Sequence, residues 1–289
     1  MLTIAGIVVD NTRLVDYKSK HTDHLTAPHP MRLKHCHNIE DFRRLARRRL
    51  PSAIFHYIDG AADDESTYRR NTAAYDECDL IPNILSGVEN IDLSTTIMGK
   101  RVDLPLFLSP TALQRLFHHD GERAVARAAE QFNTWFGISS LGTISIEEVG
   151  TTIRSPKMFQ LYVHKDKGLT HNMIERCQLA GFDALALTVD TIVGGKRERD
   201  LRTGFTSPPR LTPASLCDFA LHPRWSLSQL AAGKPQMANF EMDGYEFDRT
   251  ESRARATWDT LNHLRDMWPG KLVVKGVWDA DDAVALKAA

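Results

Sequence analysis

The chain has 289 residues, of which 42% are hydrophobic and 25% charged, with a formal net charge of −1. That balance excludes a global field drawing the chain to nucleic acid or an anionic membrane, and the length suits one large α/β domain or two smaller ones. Cys36, Cys78, Cys177 and Cys217 are scattered without a C-x-x-C pair, which argues against a disulfide framework or zinc site and for reduced thiols in a cytoplasmic protein.

Residues 1–37 show no steady period and are expected to be a loosely ordered N-terminal extension. Their apolar patch in "MLTIAGIVVDNTRLVDYK" lacks a basic leader and a small-residue cleavage site, so it is not read as a signal peptide. No run of about 18 apolar residues is present to span a bilayer. In "NIEDFRRLARRRLP" Asn38 is the expected N-cap, with Ile39, Phe42, Leu45, Ala46 and Leu50 on one face and Pro51 closing the helix. The arginines Arg43, Arg44, Arg47, Arg48 and Arg49 lie mostly on the other face, either as a solvated surface or as a phosphate or membrane patch.

A regular alternation follows. The segments 104–110, 135–140, 157–163, 184–190 and 271–276 read as strands. The segments 121–132, 145–153, 169–181 and 255–268 read as helices, the second opened by a capping box from Ser145 to Glu148. Between 202 and 250 lies a stretch rich in Pro, Ser and Arg, expected to be irregular. The strands are apolar on both faces, as buried parallel strands are, and each leads to a helix, so right-handed βαβ units are expected. A repeat of roughly 20–30 residues fits a (β/α)8 TIM barrel. A doubly wound sheet has a similar rhythm, but no G-x-G-x-x-G follows the first strand. Polar residues gather at the strand C-termini, where barrel enzymes hold their sites: Ser109, Ser139, Gln160, Tyr162, Thr188, Asp190 and Lys275. Any one of them has the plainer reading of a capped strand end.

Six ordered segments, "YIDGAADDESTYRRN" (57–71), "SPTALQ" (109–114), "ISSLGT" (138–143), "FQLYVHKD" (159–166), "LTVDTIVGGKRERDLR" (187–202) and "VVKGV" (273–277), resemble the FMN-dependent α-hydroxy acid dehydrogenase and oxidase family, which includes glycolate oxidase and L-lactate dehydrogenases. The resemblance runs from about residue 38 to the end. It implies a partial FMN-binding TIM-barrel domain over 38–289, with a lid-like insertion at about 202–250. It implies oxidation of a lactate-like L-2-hydroxy acid to the 2-oxo acid, with electrons passing through FMN to a quinone, cytochrome or oxygen. By that resemblance Tyr57, Tyr162 and Arg197 bind substrate. Pro110, Thr111, Ala112, Ser139, Gln160, Thr188 and Lys275 hold the flavin, with Lys275 beside its N1–C2–O2 edge. An ammonium there would stabilise negative charge arriving with two electrons. Tyr162 is otherwise a core aromatic with a wet tip. Asp190, on Thr188's face, either holds a neighbouring arginine or catalytic group or pairs with a surface lysine.

Two departures stand out. In "FHHDGE" His119 stands where the family carries proline, and the histidines are read as turn residues with no metal assigned. The family's S-N-H-G-G-R stretch, whose histidine is the base and whose arginine clamps the carboxylate, is absent from the 289 residues, so no catalytic residue is assigned. About five of eight strands are expected, from a truncated reading frame, a degraded gene or a partial chain. The alternative function is therefore a catalytically inactive remnant or interaction module using an exposed edge strand. The resemblance also implies a homo-oligomer when full length and a site in the cytoplasm or peripheral to the inner membrane.

Overall fold

The computed structural model describes residues 32–206, 211–233, 235–240 and 256–288. The expected extension 1–37 therefore falls mostly outside the described residues, as do the "SPPR" of the insertion (207–210) and residues 241–255. The chain divides into two compact units, Met1–Leu45 and Ala46–Ala289.

A 3-10 turn, Leu33–His35, precedes helix α1 (Ile39–Arg49), whose last four residues belong to the second unit. Asn38 caps it as expected: its Oδ1 accepts the Asp41 amide at 2.8 Å. The Asp41 carboxylate in turn accepts the His37 amide at 2.9 Å, and this bond, with the Arg44 guanidinium, holds its pKa below the usual carboxylate range. The expected apolar face is only half buried: Leu45 and Leu50 are buried, whereas Ile39 is 83% and Phe42 47% exposed.

The second unit continues with helices α2 (Ser52–Asp59) and α3 (Ser66–Ala73). A hairpin, β1 (Thr95–Ile97) and β2 (Lys100–Val102), turns at Met98 and Gly99, both at positive φ as a primed hairpin turn requires. Then come β3 (Phe107–Leu108), α4 (Glu122–Gln131), β4 (Trp135–Ser139), α5 (Ile146–Thr152), β5 (Lys157–Leu161), α6 (Lys167–Leu179) and β6 (Ala184–Thr188). Helices α7 (Glu198–Thr203), α8 (Pro213–Leu221), α9 (Pro223–Ala232) and α10 (Trp258–Met267) lead to β7 (Lys271–Lys275) and α11 (Ala280–Ala288). Strands β3 to β7 form one parallel sheet in sequential order. Among the described residues its edges are β3 and β7, and it does not close on itself. The first strand is shorter than the expected 104–110, since prolines at 105 and 110 cannot donate to a ladder.

Alternate residues face opposite sides of this sheet. Phe136, Ile138, Phe159, Leu161, Leu185 and Leu187 pack outward with residues of α4, α5, α6 and α10. Trp135, Met158, Ala184 and Ala186 face the other way and pack with Val102 and Ile97 of the hairpin, where the Trp135 indole donates to the Ile97 carbonyl at 3.2 Å. The hairpin thus fills the inner face at the N-terminal end of the strands. The inner face at their C-terminal end is left to polar side chains.

The stretch 202–250, expected to be irregular, is largely helical where described. Its prolines act as helix starters. Pro213 follows Thr212, whose hydroxyl accepts the Ser215 amide, and Pro223 opens the next helix at once. This pair is docked: the Trp225 indole donates to Leu116 O at 2.8 Å, the Gln229 amide to Arg115 O at 2.7 Å, and the Ser52 amide to Asp218 Oδ2 at 2.7 Å. Further on, fully buried Asn239 accepts the Ile146 amide at 3.0 Å, and Arg176 donates to its carbonyl at 3.3 Å. The same Arg176 forks onto Glu147 at 2.6 and 2.9 Å and lowers that carboxyl's pKa to about 2.

Candidate functional site

The five parallel strands end on one side, and four of the expected residues meet there. Ser139 pairs in register with Gln160, and Thr188 with Lys275. Ser139 Oγ donates to Gln160 Oε1 at 2.9 Å, and Gln160 Nε2 donates to Thr188 Oγ1 at 2.8 Å. Ser139 Oγ also accepts the Leu141 amide at 3.1 Å. All three side chains are buried, which sets their orientation. The row leaves the second Gln160 N–H and the Thr188 O–H as donors for a ligand. Lys275 closes the row, exposed, with no ion pair to a described residue. Tyr162 and Asp190 lie just past the ends of β5 and β6. Asp190 packs on the turn after β7: a Cβ on Gly276, at φ +100°, would lie 2.5 Å from Asp190 Cγ. Asp190 thus sits against the glycine that follows Lys275.

A second cluster forms around Tyr57 in the last turn of α2. Its ring stacks on Phe205 with centroids 4.1 Å apart, and lies 6.1 Å from Phe117. The Arg197 guanidinium sits 5.1 Å from the Tyr57 ring centroid and donates to the Tyr57 carbonyl. Arg197 Nε is held by Asp200 at 2.7 Å. Ala112 packs into the same apolar cluster. Ser109 and Thr111 line an open groove with Ile58, Phe117 and His118.

Pro110 links the two clusters. It lies so close to β4 that a Cβ on Gly137 would stand 2.9 Å from Pro110 Cδ, so only glycine fits. Three residues on, the Leu113 amide donates to Leu141 O at 3.1 Å. The turn 110–113 is thereby seated on the strand that carries Ser139 and on the cluster that carries Tyr57.

Four supporting residues escape sequence reading. Glu122, fully buried, accepts the Thr143 amide at 2.9 Å, the Gln114 amide at 3.2 Å and the Thr143 hydroxyl. Arg199 donates to Asp59 at 2.8 Å and to Glu65. The signal for Glu122 was its place in the Asp-Gly-Glu turn, and for Arg199 its position two residues after Arg197. His118, His119 and Asp120 bring potential ligand atoms within 4.8 Å of one another. Asp120 is already held by Arg127 at 2.6 Å, and the His118 pKa is lowered by burial and by the positive field of His119, Arg49 and Arg127.

Residues 46–289 match the family described as FMN-dependent dehydrogenase. A putative L-lactate dehydrogenase of Mycobacterium tuberculosis is 37% identical over 254 residues, covering 86% of this chain and 61% of that protein. The (S)-mandelate dehydrogenase of Pseudomonas putida is 36% identical over 255 residues, covering 85% and 64%. A solved structure of a monotopic membrane protein, (S)-mandelate dehydrogenase, superposes with a TM-score of 0.82 at 34% identity over 87% of this chain and 69% of that one. The chain thus spans less than two thirds of the length of these curated relatives. With ordered motifs, a parallel sheet and a polar row at its C-terminal edge all in agreement, the chain belongs to the FMN-dependent dehydrogenase family.

Proposed function

We propose that the protein oxidises an L-2-hydroxy acid to the 2-oxo acid with FMN, and that its five parallel strands belong to a (β/α)8 barrel. The observation that carries this reading is the hydrogen-bonded row Ser139–Gln160–Thr188, with Lys275 in register beside it. Alternating hydroxyl and amide groups suit the mixed donor and acceptor edge of an isoalloxazine, so the donor set fits the cofactor. Bound FMN would supply the two-electron oxidant. Gln160 and Thr188 orient a ring edge with directional donors, and the Lys275 ammonium favours negative charge at that edge. Pro110, Thr111 and Ala112 form the wall between this edge and Tyr57. Tyr57, Tyr162 and Arg197 serve the substrate: a guanidinium attracts a carboxylate, and phenolic hydroxyls bind a carboxylate or hydroxyl. We assign no proton acceptor among the described residues.

The test is titration of the purified chain with FMN, followed under argon by an L-2-hydroxy acid. Quenched flavin fluorescence on binding is the expected result for this chain, and bleaching of flavin absorbance by L-lactate or (S)-mandelate, and not by the opposite enantiomers, is expected of a polypeptide that also carries a proton acceptor. A chain that leaves flavin fluorescence unchanged overturns the reading.

We further infer peripheral contact with a membrane through α8 and α9. No helix among the described residues is long and apolar enough to cross a bilayer. These two helices nevertheless expose Leu216 (52%), Leu221 (77%), Leu227 (66%) and Leu230 (79%). Co-flotation with phospholipid vesicles, abolished by exchanging these leucines for serine, checks it. Equal flotation of parent and variant removes the assignment.

A further inference from the structure

Tyr57 and Arg197 lie 140 residues apart in sequence, on separate elements, yet touch. Neither contact between them is strong enough alone to set that geometry, since a half-exposed cation–π pair and one hydrogen bond contribute about 1 kcal/mol each. Two residues beyond each partner stands a second pair. Asp59 follows Tyr57 by two, Arg199 follows Arg197 by two, and Arg199 Nη1 donates to Asp59 Oδ2 at 2.8 Å. Its Nη2 reaches Glu65, whose other oxygen accepts the Ala61 amide at 3.0 Å. The Asp59 and Glu65 side chains are only 7% and 12% exposed, so the pairing is shielded from solvent. The same seam is closed by the Asp63 amide donating to Lys196 O at 2.9 Å. Gly195 leaves no spare room there, since a Cβ on it would lie 3.0 Å from Ala62 Cβ.

We propose that Arg199, gripped by Asp59 and Glu65, is a positioning residue that locks Arg197 against Tyr57 and so sets affinity for the carboxylate of the substrate. The second half rests on the function proposed above; the first half does not. The planar fork of Arg199 reaches two carboxylates at once, which a lysine point charge does less well. Without that cation, two shielded carboxylates face each other and repel. The seam then opens, and Arg197 loses its place over Tyr57 while the Ser139–Gln160–Thr188 row is left intact.

Two readouts test this on the full chain. The first is labelling of Arg197 by phenylglyoxal, mapped by mass spectrometry, which needs no cofactor. In Arg199→Met labelling should rise about fivefold, in Arg199→Lys by less, and in the milder Asp59→Asn by about twofold, in keeping with loss of one or both charge-assisted bonds. The second is affinity of the FMN-loaded chain for a 2-hydroxy acid, which should fall about tenfold in Arg199→Met with FMN affinity unchanged. A purely structural role would lower both affinities together. Should Arg199→Met not fold, Asp59→Asn and Arg199→Lys still decide the labelling arm. Unchanged Arg197 labelling in the folded variants overturns the proposal. Increased labelling with no affinity of the parent for any 2-hydroxy acid retains the lock and overturns the functional reading.

Discussion

Replacing Glu122 by alanine is expected to destabilise the chain by about 3–5 kcal/mol, since it leaves several buried donors unpaired at once. Glu122 is fully buried at the first turn of α4, where the helix dipole already favours a carboxylate. Its oxygens accept the Gln114 and Thr143 amides and the Thr143 hydroxyl. The Thr143 amide and hydroxyl are buried and lose their acceptor outright once the carboxylate is gone, whereas the Gln114 amide is half-buried. The loss is also directional. Gln114 lies three residues after Thr111, and Thr143 four after Ser139, so this one side chain ties the end of the 110–113 turn to the loop beyond β4. Urea denaturation measures the effect, and Glu122→Gln should recover part of it because the amide oxygen still accepts. A loss below about 1 kcal/mol for Glu122→Ala would show that the loops repack without it.

How much of this was legible in the sequence depended on range. Buried parallel strands announce themselves by continuous apolar runs, so β4, β5, β6 and β7 fell within a few residues of their expected spans. The polar residue ending each run was equally plain, which is why Ser139, Gln160, Thr188 and Lys275 could be named before any coordinates. The hairpin β1–β2 was missed because Met98-Gly99 is a weaker turn signal than Asn-Gly, though both residues do take positive φ. Helices α8 and α9 fall in the stretch expected to be irregular from its Pro, Ser and Arg content, where Pro213 and Pro223 instead open helices. For Glu122 and Arg199 the sequence marks the position but not the partners. Each joins segments through space, Arg199 and Asp59 being 140 residues apart, and periodicity reports only which face a residue occupies. Even the expected apolar face of α1 shows the limit, since pattern placed Ile39 beside Leu45 without revealing that Ile39 is exposed.

Gln160→Leu should weaken FMN binding about a hundredfold, roughly 2.7 kcal/mol at 25 °C. Leucine nearly matches the volume, so the core around β5 is expected to persist with a modest loss of stability. What disappears is the amide in the middle of the row. Ser139 Oγ loses its acceptor at 2.9 Å and Thr188 Oγ1 its donor at 2.8 Å, in a setting where all three groups are buried. Both hydroxyls are then free to rotate, so the substitution removes one ligand donor directly and disorders another. Gln160→Glu separates geometry from charge. It keeps an acceptor for Ser139 but adds an anion to an edge where Lys275 stands in register with Thr188 to favour negative charge on the ligand. Its FMN affinity should therefore fall at least as far as that of the leucine variant, and further at low ionic strength, where screening is weakest. Thr188→Val, which removes only the terminal hydroxyl, should cost about tenfold. The ordering Thr188→Val, then Gln160→Leu, then Gln160→Glu follows from a ring edge held by neutral donors beside a cation. Equal FMN affinity across the three variants would place the flavin elsewhere on the protein.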